Sequence, residues 1–436
     1  MLENFSQFQK IENGDNKMRH LANPRASGRD LAGLLPLVSI IITNYNYGRF
    51  LREALDSVFA QTYPHIECII VDDASTDDSD VVLESIRHHE PHVRIILHKD
   101  NSGQTTAFRT GLAASSGEYV VFLDADDILL PAFVETHLFV HLSLRIAVGF
   151  TSSDMFQSTN GRIVRSSLTT LSDYIAAGRG LRKERLRRID APECDLWPFE
   201  HAPLDDVESR VHFVDPLSSE DWVYAPTSGN CFRRDALTLL LGDGPLMDLR
   251  FHGDTYLNKG VRLLNGAALI DAPLTIYRIH GGNGFASHAE LCGVHSAAPF
   301  KAFRAEYFAW RAVVDRLIDH VDELAERVGA DRYVRALVCL QKSYVDHPDF
   351  QQFESLARYI EKRLETRADS IRACLGLDRF EHLSTSVKRS SKRRVRAKRR
   401  EPRPWIRPLA ELFLTAGRCS TSLVALTKIG DRLWHF

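Results

Sequence analysis

The chain has 436 residues, of which 44% are hydrophobic and 26% charged, and its formal net charge is −2. These values are typical of a globular protein with room for one large domain or two of common size. This composition argues against a disordered chain. No apolar stretch has the roughly 20 residues that a membrane-spanning helix needs. The polar N-terminus has no apolar core and does not resemble a signal peptide.

The charge is unevenly distributed along the chain. Residues 388–407 contain eleven Lys and Arg and a single acid, a net charge of +10, so the remainder of the chain carries −12. Seven cysteines are widely scattered, without the CxxC spacing of a zinc or redox motif. Scattered thiols are typical of a reducing compartment, and we therefore expect a cytoplasmic protein.

The first part of the chain alternates between strand and helix patterns. Residues 1–35 are polar and aperiodic, which predicts a flexible leader. Short apolar runs then predict strands, and amphipathic stretches predict helices between them. The strands are expected over 38–43, 67–72, 93–98 and 119–124, and the helices over 51–59, 79–88 and 104–114. This alternation predicts an α/β fold, with a doubly wound, mostly parallel sheet flanked by helices.

The rest of the chain divides into three further regions. The regular pattern weakens over 151–295, which we expect to complete a domain spanning 36–295 with a first half at 36–150. Apolar residues spaced by three and four from Phe303 to Leu324 predict an appended helical region over 296–380, with further helices over 331–347 and 350–373. Residues 381–436 form a basic arm followed by an apolar tail.

The stretch "VVFLDADDILL" ends a predicted buried strand with three carboxylates. Asp124 and Asp126, two residues apart in an extended chain, point to the same side. Two such carboxylates suit a hard divalent cation, Mg²⁺ or Mn²⁺, which also accepts phosphate oxygens. A polar turn that caps the next helix is the alternative, and Asp127 is predicted to have that capping role.

Polar residues also follow the first two strands. "TNYN" provides Thr43, Tyr45 and Asn46, and Asp73 follows strand two. In doubly wound sheets ligands lie outside the carboxyl ends of the strands. We therefore expect these groups to line a ligand site, with the Tyr45 ring able to stack on a base and the Asp73 carboxylate able to accept hydrogen bonds from a base or ribose.

Together, "VSIIITNYNYGRFLREALDSVFAQTYPHIECIIVDDASTDDS" and "NSGQTTAFRTGLAASSGEYVVFLDADDILLP" resemble the family 2 glycosyltransferases of the GT-A fold. The resemblance covers about residues 37–150 and returns at "TSGNCFRRDAL", "GDTYL" and "IYRIHGGN". It implies a hexosyltransferase-type enzyme that uses a nucleotide-sugar donor, a UDP-sugar first, with Mn²⁺ or Mg²⁺ and inversion at the anomeric carbon.

The resemblance also implies roles for particular residues. Those implied to bind the nucleotide are Thr43, Tyr45, Asn46, Asp73 and Asp124; those near the metal are Asp126 and His280; the catalytic base is Asp254; and those contacting donor or acceptor are Arg109, Gly229 and Asn230. Two positions depart from the family pattern, since Gly253 replaces an acid and Arg109 an asparagine. A capping aspartate at 254 and a structural histidine at 280 are the alternative interpretations.

The expected function is sugar transfer to a glycan or lipid-linked acceptor in cell-surface polysaccharide or glycolipid synthesis. A non-catalytic sugar- or polymer-binding protein that retains the fold is the alternative, and Gly253 and Arg109 are the features that favour it. Catalysis would require a carboxylate base on the face of the sugar opposite the leaving diphosphate.

The basic segment Lys388–Arg407 admits three interpretations. It is a solvated linker, a site for anionic lipid or a nucleic-acid site, and the absence of interleaved aromatic residues argues against nucleic acid. The apolar tail directly after it favours a lipid surface. We therefore predict a peripheral association with the inner face of the plasma membrane.

Overall fold

The computed structural model describes residues 35–168, 181–183, 203–214, 223–242, 249, 252–283, 299–340 and 354–398. Side chains are described for the same residues except 181–183, 299–306 and 390–398. The predicted leader, apart from its last residue, and the apolar tail lie outside these ranges.

Within the described residues, one sheet contains eleven strands. They are β1 (Val38–Asn44), β2 (Ile66–Asp72), β3 (Arg94–Leu97), β4 (Tyr119–Asp124), β5 (Ile128–Leu129), β6 (Phe150–Thr159), β7 (Arg162–Arg165), β8 (Leu181–Lys183), β9 (Val211–Val214), β10 (Asn230–Arg233) and β11 (Ala267–Ile279). The spatial order is β3-β2-β1-β4-β10-β6-β11-β9-β8, with β5 paired to β11 and β7 to β6.

The parallel part of the sheet is its first half. β3, β2, β1 and β4 pair in parallel, whereas β10 runs antiparallel to both β4 and β6. β6 and β11 are again parallel, and β9 and β8 follow as antiparallel strands. The sheet as a whole is therefore mixed rather than mostly parallel. The register pairs Thr43 with Asp124 and Asn44 with Asp72, so the polar ends of β1, β2 and β4 meet at one edge.

The helices of the described residues, apart from a 3₁₀ turn at Thr227–Gly229, are α1 (Gly48–Phe59), α2 (Ser79–His89), α3 (Gln104–Ala114), α4 (Phe133–Ser143), α5 (Val207–Arg210), α6 (Arg234–Leu241), α7 (Gly253–Asn265), α8 (Pro299–Asp319), α9 (Val321–Val328), α10 (Ala330–Leu340), α11 (Leu356–Thr366), α12 (Ala368–Leu375) and α13 (Leu377–Lys398). None of these helices is both long enough and apolar enough to pass through a bilayer.

Helices cover both faces of the sheet, as the sequence predicts. The apolar sides of α1, α2 and α4 form one buried cluster, and those of α3, α6, α7 and the C-terminal helices form the other. The strands of the parallel half are buried on both faces, which explains their nearly continuous apolar sequences. The predicted strand 119–124 matches β4 at both ends, and the other early elements agree within three residues.

The C-terminal helices pack directly on the sheet domain. Arg316 of α8 is buried and donates from Nε to the Leu239 carbonyl of α6, at 2.8 Å. The Lys259 ammonium of α7 lies 5.1 Å from the centre of the Trp310 ring of α8. The predicted helical region is therefore part of the same core, and it covers the helix that bears Asp254.

Two predicted helical boundaries are wrong. The stretch predicted as one helix over 350–373 contains α11 and α12, and the predicted boundary at residue 381 falls inside α13. Glycine explains the junction that precedes α13, because Gly376 has φ +82° and ends α12 in a conformation that favours glycine. The first eleven residues of the basic segment, 388–398, therefore continue a helix rather than forming a separate arm.

Candidate active site

Asp124 lies at the C-terminal end of β4, and three neighbouring elements hold it. Its Oδ1 accepts hydrogen bonds from Thr43 Oγ1 of β1 (3.3 Å) and from Gln104 Nε2 of α3 (3.2 Å). Its backbone N–H donates to Ser228 Oγ in the turn before β10, at 3.1 Å. The acid that begins the "DADD" motif is thus oriented from both sides of the sheet edge.

The acidic cluster carries more negative charge than its surroundings balance. Burial, together with the negative charges of Asp126 and Asp254, raises the pKa of Asp124 to about 7. Burial and the charges of Asp126 and Asp124 also raise the pKa of Asp127 well above its usual range. A positive ligand at this edge would relieve the repulsion, because it favours the ionised form of each carboxylate.

Asp126 is held by the loop that follows β11. Its Oδ2 accepts from His280 Nε2 at 3.0 Å and from Asn283 Nδ2 at 3.4 Å. The Gly282 backbone N–H, which can only donate, points at His280 Nδ1 from 3.3 Å, and this places the ring proton on Nε2. In this arrangement His280 donates to Asp126 and orients it, and the role of His280 near the metal stays a prediction.

The donor set fits a magnesium- or manganese-type ion shared with a substrate. No group of three or more His, Cys, Asp or Glu in the described part of the chain has metal-binding geometry. Asp126 is buried, and the hydrogen bonds that it accepts from His280 and Asn283 both go to Oδ2, so its Oδ1 is not used by these two residues. Mg²⁺ is commonly bound in this way, by one or two carboxylates that are completed by phosphate oxygens and water.

Asp127 does not cap the following helix, contrary to the prediction. Helix α4 begins only at Phe133, and its N-cap residue is Ala132. Asp127 instead is buried and accepts from the Arg278 backbone N–H, at 3.3 Å. It therefore joins the acidic loop to β11. The strand β5, which intervenes between Asp127 and α4, was not predicted.

The end of β1 and the turn after it contain three of the predicted nucleotide-binding residues. Thr43 is used to hold Asp124, as described above. The Tyr45 ring is 44% exposed, which leaves a face open for stacking on a base. Asn46 adopts φ +61°, and its Oδ1 accepts from the Thr76 backbone N–H at 2.7 Å, so its side chain shapes the turn.

Asp73 is buried and its carboxylate is used by the protein itself. Oδ1 accepts from the Ser102 backbone N–H at 2.9 Å and contacts His98 Nδ1 at 2.7 Å, and Oδ2 accepts from the Gly103 backbone N–H at 2.7 Å. These bonds fix the loop that begins α3. The sequence analysis did not single out His98, which lies just after β3 at the sheet edge where ligand-site residues were expected.

Asp254 lies in the first turn of α7 and is 8% exposed. Its Oδ1 accepts from the Thr255 backbone N–H at 2.7 Å. Burial raises its pKa, and this outweighs the opposing effect of nearby His252. Its charge in turn raises the pKa of Asp124, so the two carboxylates lie within electrostatic reach of each other. Asp254 is therefore a buried acid at the start of a helix rather than a solvated one.

The three residues predicted to contact donor or acceptor lie in different surroundings. Gly229 and Asn230 are fully buried, and Asn230 Nδ2 donates to the Ala225 carbonyl and to Asn258 Oδ1, both at 3.2 Å. These bonds shape the turn before β10, and a contact of either residue with donor or acceptor stays a prediction. Burial raises the pKa of Tyr256 in α7. The positive charge of Arg109 in α3 opposes this rise, so Arg109 acts electrostatically on the Tyr256 hydroxyl.

Besides His98, three residues of the site were missed from sequence. Ser228 and Asn283 lie in segments that the resemblance includes, but their types alone assign no role. Gln104 is the first residue of α3, directly after the "NSG" loop that follows β3. This position near the carboxyl end of a parallel strand is the signal that could have identified Gln104 as a site residue.

Comparison with known proteins identifies the family of the chain. Residues 39–196 match the family model described as glycosyl transferase family 2. The uncharacterized glycosyltransferase alr2836 of Nostoc is 31% identical over 261 residues, which cover 60% of this chain and 70% of that protein. The uncharacterized glycosyltransferase YibD of Escherichia coli is 36% identical over 196 residues, covering 43% and 54% respectively. Among solved structures, TarS 1–349 of S. aureus with UDP aligns over 81% of this chain and 91% of its own, with 16% identity and a TM-score of 0.44.

A mixed sheet with helices on both faces and an acidic edge at the carboxyl ends of its parallel strands is the arrangement that the resemblance to GT-A glycosyltransferases implies. The chain belongs to glycosyl transferase family 2. The predicted enzyme class is confirmed, and so is the α/β fold class with a central sheet, flanking helices and a C-terminal helical region.

Proposed function

We propose that the protein transfers a sugar from a nucleoside diphosphate donor to an acceptor hydroxyl with inversion, assisted by Mn²⁺ or Mg²⁺. The observation that carries this proposal is the electrostatic pairing of two acids from different elements. Asp124 ends β4 beside Asp126, and Asp254 comes from α7, yet the charge of Asp254 raises the pKa of Asp124. Asp124, together with Asp126, is suited to hold the leaving diphosphate through a cation. Asp254 is suited to accept the proton of the attacking hydroxyl.

Asp124 and Asp126 would hold the cation together with the donor diphosphate. A bound divalent cation stabilises the negative charge that develops on the leaving group. Thr43 and Gln104 orient Asp124, while His280 and Asn283 orient Asp126, so both carboxylates are preorganised.

Asp254 would act as the base that removes the proton of the acceptor hydroxyl. A carboxylate is effective in this role when burial brings its pKa towards the working pH, and burial has this effect on Asp254. Its position in the first turn of α7 also places it where the helix dipole favours the ionised form.

The nucleoside would bind at the turn after β1. The exposed ring of Tyr45 is available for stacking on the base, and Asp73 supports the site by holding the 101–103 loop. We propose a uridine diphosphate sugar as the donor and a glycan or lipid-linked molecule as the acceptor, in cell-surface polysaccharide or glycolipid synthesis.

Metal-dependent nucleotide binding tests this proposal. A ligand that binds only the folded state raises the melting temperature by mass action, and UDP at about 100 times its Kd would add about 2.7 kcal/mol. We expect UDP to raise Tm strongly in the presence of Mn²⁺ and weakly with EDTA, because the diphosphate alone adds negative charge to an acidic site. Tm is measured by calorimetry across UDP, GDP and their sugars.

The same screen separates the enzyme from a non-catalytic sugar-binding protein. The donor that gives the largest shift is then incubated with Mn²⁺, and the release of free nucleoside diphosphate is followed over time. Release above the rate without protein supports a transferase. Binding without any release, at every acceptor tried, supports the binding protein, and no Mn²⁺-dependent shift with any nucleotide would contradict the proposed site.

Peripheral membrane binding through the basic segment is part of the proposal. The backbone of α13 continues to Lys398, which places seven basic residues in consecutive turns of helix. Each basic residue near an anionic surface contributes about 1 kcal/mol of attraction. Such binding would bring the active site close to a lipid-linked acceptor.

Vesicle flotation tests the membrane interaction. We expect the full chain to float with vesicles containing phosphatidylglycerol and not with neutral ones. The double variant Lys392→Glu/Arg393→Glu should reduce the bound fraction at least about tenfold, because two attractive charges become repulsive. Lys99→Glu/Arg145→Glu, which makes the same change in net charge on exposed residues of the sheet domain, is the matched control. Equal loss in both variants would show a nonspecific charge effect.

A further inference from the structure

Gln104 connects the two acidic halves of the site. Its Nε2 donates to Asp124 Oδ1 at 3.2 Å, and its Oε1 accepts from the backbone N–H of Gly253 at 3.2 Å. The orientation of the amide is determined by its partners, because a backbone N–H can only donate and an ionised carboxylate can only accept. One side chain therefore spans from the end of β4 to the first residue of α7, next to Asp254.

The contact depends on glycine at position 253. A Cβ atom there would lie 2.9 Å from Phe108 Cε2, 3.0 Å from Thr105 Oγ1 and 3.1 Å from Gln104 Oε1. Thr105 adds a second link between the same regions, since its Oγ1 donates to the Leu249 carbonyl at 3.0 Å. The replacement of the family's acid by Gly253 thus lets α7 approach α3 closely enough for the amide bridge to form.

The start of α3 is itself fixed, so the bridge has a rigid base. The Asp73 carboxylate accepts from the Gly103 backbone N–H, and Gly103 has φ +85° just before the helix. The Gly253 N–H is one of the first N–H groups of α7, which have no partner within their own helix. Gln104 satisfies this group with a neutral oxygen, where a carboxylate would add a further negative charge between Asp124 and Asp254.

From this geometry we infer that Gln104 is a positioning residue that sets the N-terminus of α7, and with it Asp254, relative to the donor diphosphate site at Asp124. The inference rests on the proposed function for the roles of those two acids. Through Gln104, occupation of the diphosphate site stabilises α7, the helix that bears the base. The departure at Gly253 is then a feature of an active enzyme rather than a sign of lost catalysis.

Hydrogen exchange of the full chain tests the link without a known acceptor. In Gln104→Met the Gly253 N–H loses its acceptor, and we expect peptides covering 252–257 to exchange about tenfold faster than in the wild type. Gln104→Glu keeps an acceptor for Gly253 but not the donor to Asp124, so it should retain protection at 252–257. Thr106→Ala, in the same turn of α3 but outside the bridge, is the matched control and should exchange like the wild type.

Addition of UDP with Mn²⁺ then measures the coupling. In the wild type we expect slower exchange both at 43–47 and at 252–257, whereas in the two Gln104 variants only 43–47 should respond. With the donor found by the melting screen, Gln104→Met should lower kcat about 10- to 100-fold and change KM for the donor less than about threefold, because misplacing a catalytic group by about 1 Å has an effect of that size.

The outcomes distinguish the two proposals. No UDP effect at 43–47 in the wild type contradicts the proposed nucleotide site. Faster exchange at 252–257 in Gln104→Met still supports the bridge in that case, since this readout needs no ligand. Exchange at 252–257 that is equal in the wild type and in Gln104→Met overturns the inference about Gln104, whatever the nucleotide does.

Discussion

The variant Asp254→Asn is expected to lower kcat by about 10²- to 10⁴-fold, the usual contribution of a general base. Asparagine has the shape of aspartate but cannot accept the acceptor proton, so positioning is retained while proton removal is lost. Donor binding should change little because Asp124 and Asp126, which would hold the diphosphate, are untouched. The measurement is initial-rate kinetics with the donor identified by the melting screen, together with the UDP and Mn²⁺ shift in Tm.

An exposed aspartate provides the control for this variant. Asp235→Asn, in the first turn of α6, changes the same charge on a helix that packs against α7 and should leave kcat within about twofold, in the usual range for surface substitutions. If Asp254→Asn keeps more than a third of the wild-type kcat, Asp254 is a structural acid and another group removes the proton.

The pH dependence of the same reaction has a defined direction. Burial raises the pKa of Asp254 above the ordinary aspartate value of about 3.9, and the base is active only when ionised. Activity should therefore be present at high pH and fall as the pH is lowered through this raised pKa. An acid limb centred at or below the ordinary aspartate value would contradict the assignment.

The variant Asp126→Asn is expected to weaken Mn²⁺ binding at least about 100-fold, since loss of groups that merely orient metal ligands already has effects of about 10- to 100-fold. The amide can still accept from His280 and Asn283, so the loop after β11 should keep its position. Isothermal titration of Mn²⁺ in the presence of UDP measures the affinity directly. The Mn²⁺-dependent part of the Tm shift should disappear with it.

The neighbouring Asp127 gives a matched control within the motif. Burial and two nearby carboxylates raise its pKa well above the usual range, which favours the protonated form that asparagine resembles. Asp127→Asn should therefore keep Mn²⁺ affinity within a few-fold of the wild type. Equal losses in Asp126→Asn and Asp127→Asn would show that the motif responds to disruption as a whole and would remove the support for a specific ligand at 126.

Much of the fold was predictable because local patterns determine it. The apolar runs of β1, β2 and β4 and the amphipathic helices between them have periodicities that depend only on neighbouring residues. The second half of the sheet was less predictable. β10 enters between β4 and β6 as an antiparallel strand, and that placement depends on contacts between residues more than 70 positions apart.

The candidate site was predicted in composition more than in arrangement. The charges of Asp126 and Asp254 both act on Asp124, while the roles that the resemblance implies for these acids stay predictions. The tautomer of His280 follows from the Gly282 backbone N–H, and the Asn230 amide donates to Asn258 Oδ1. Such partners follow from the folded chain, and no spacing in the sequence indicates them.

By itself, the sequence determined that this chain is an α/β glycosyltransferase of family 2 with acids at the ends of its parallel strands. Periodicity and motif order are properties of short segments, so they can be recognised without a structure. Only the tertiary structure showed what Gly253 permits, because a Cβ atom at this position would lie 2.9 Å from Phe108 Cε2 and 3.0 Å from Thr105 Oγ1 of α3. It likewise showed that Gln104 spans Asp124 and α7, since a bridge between residues 149 positions apart exists only once the two helices have packed together.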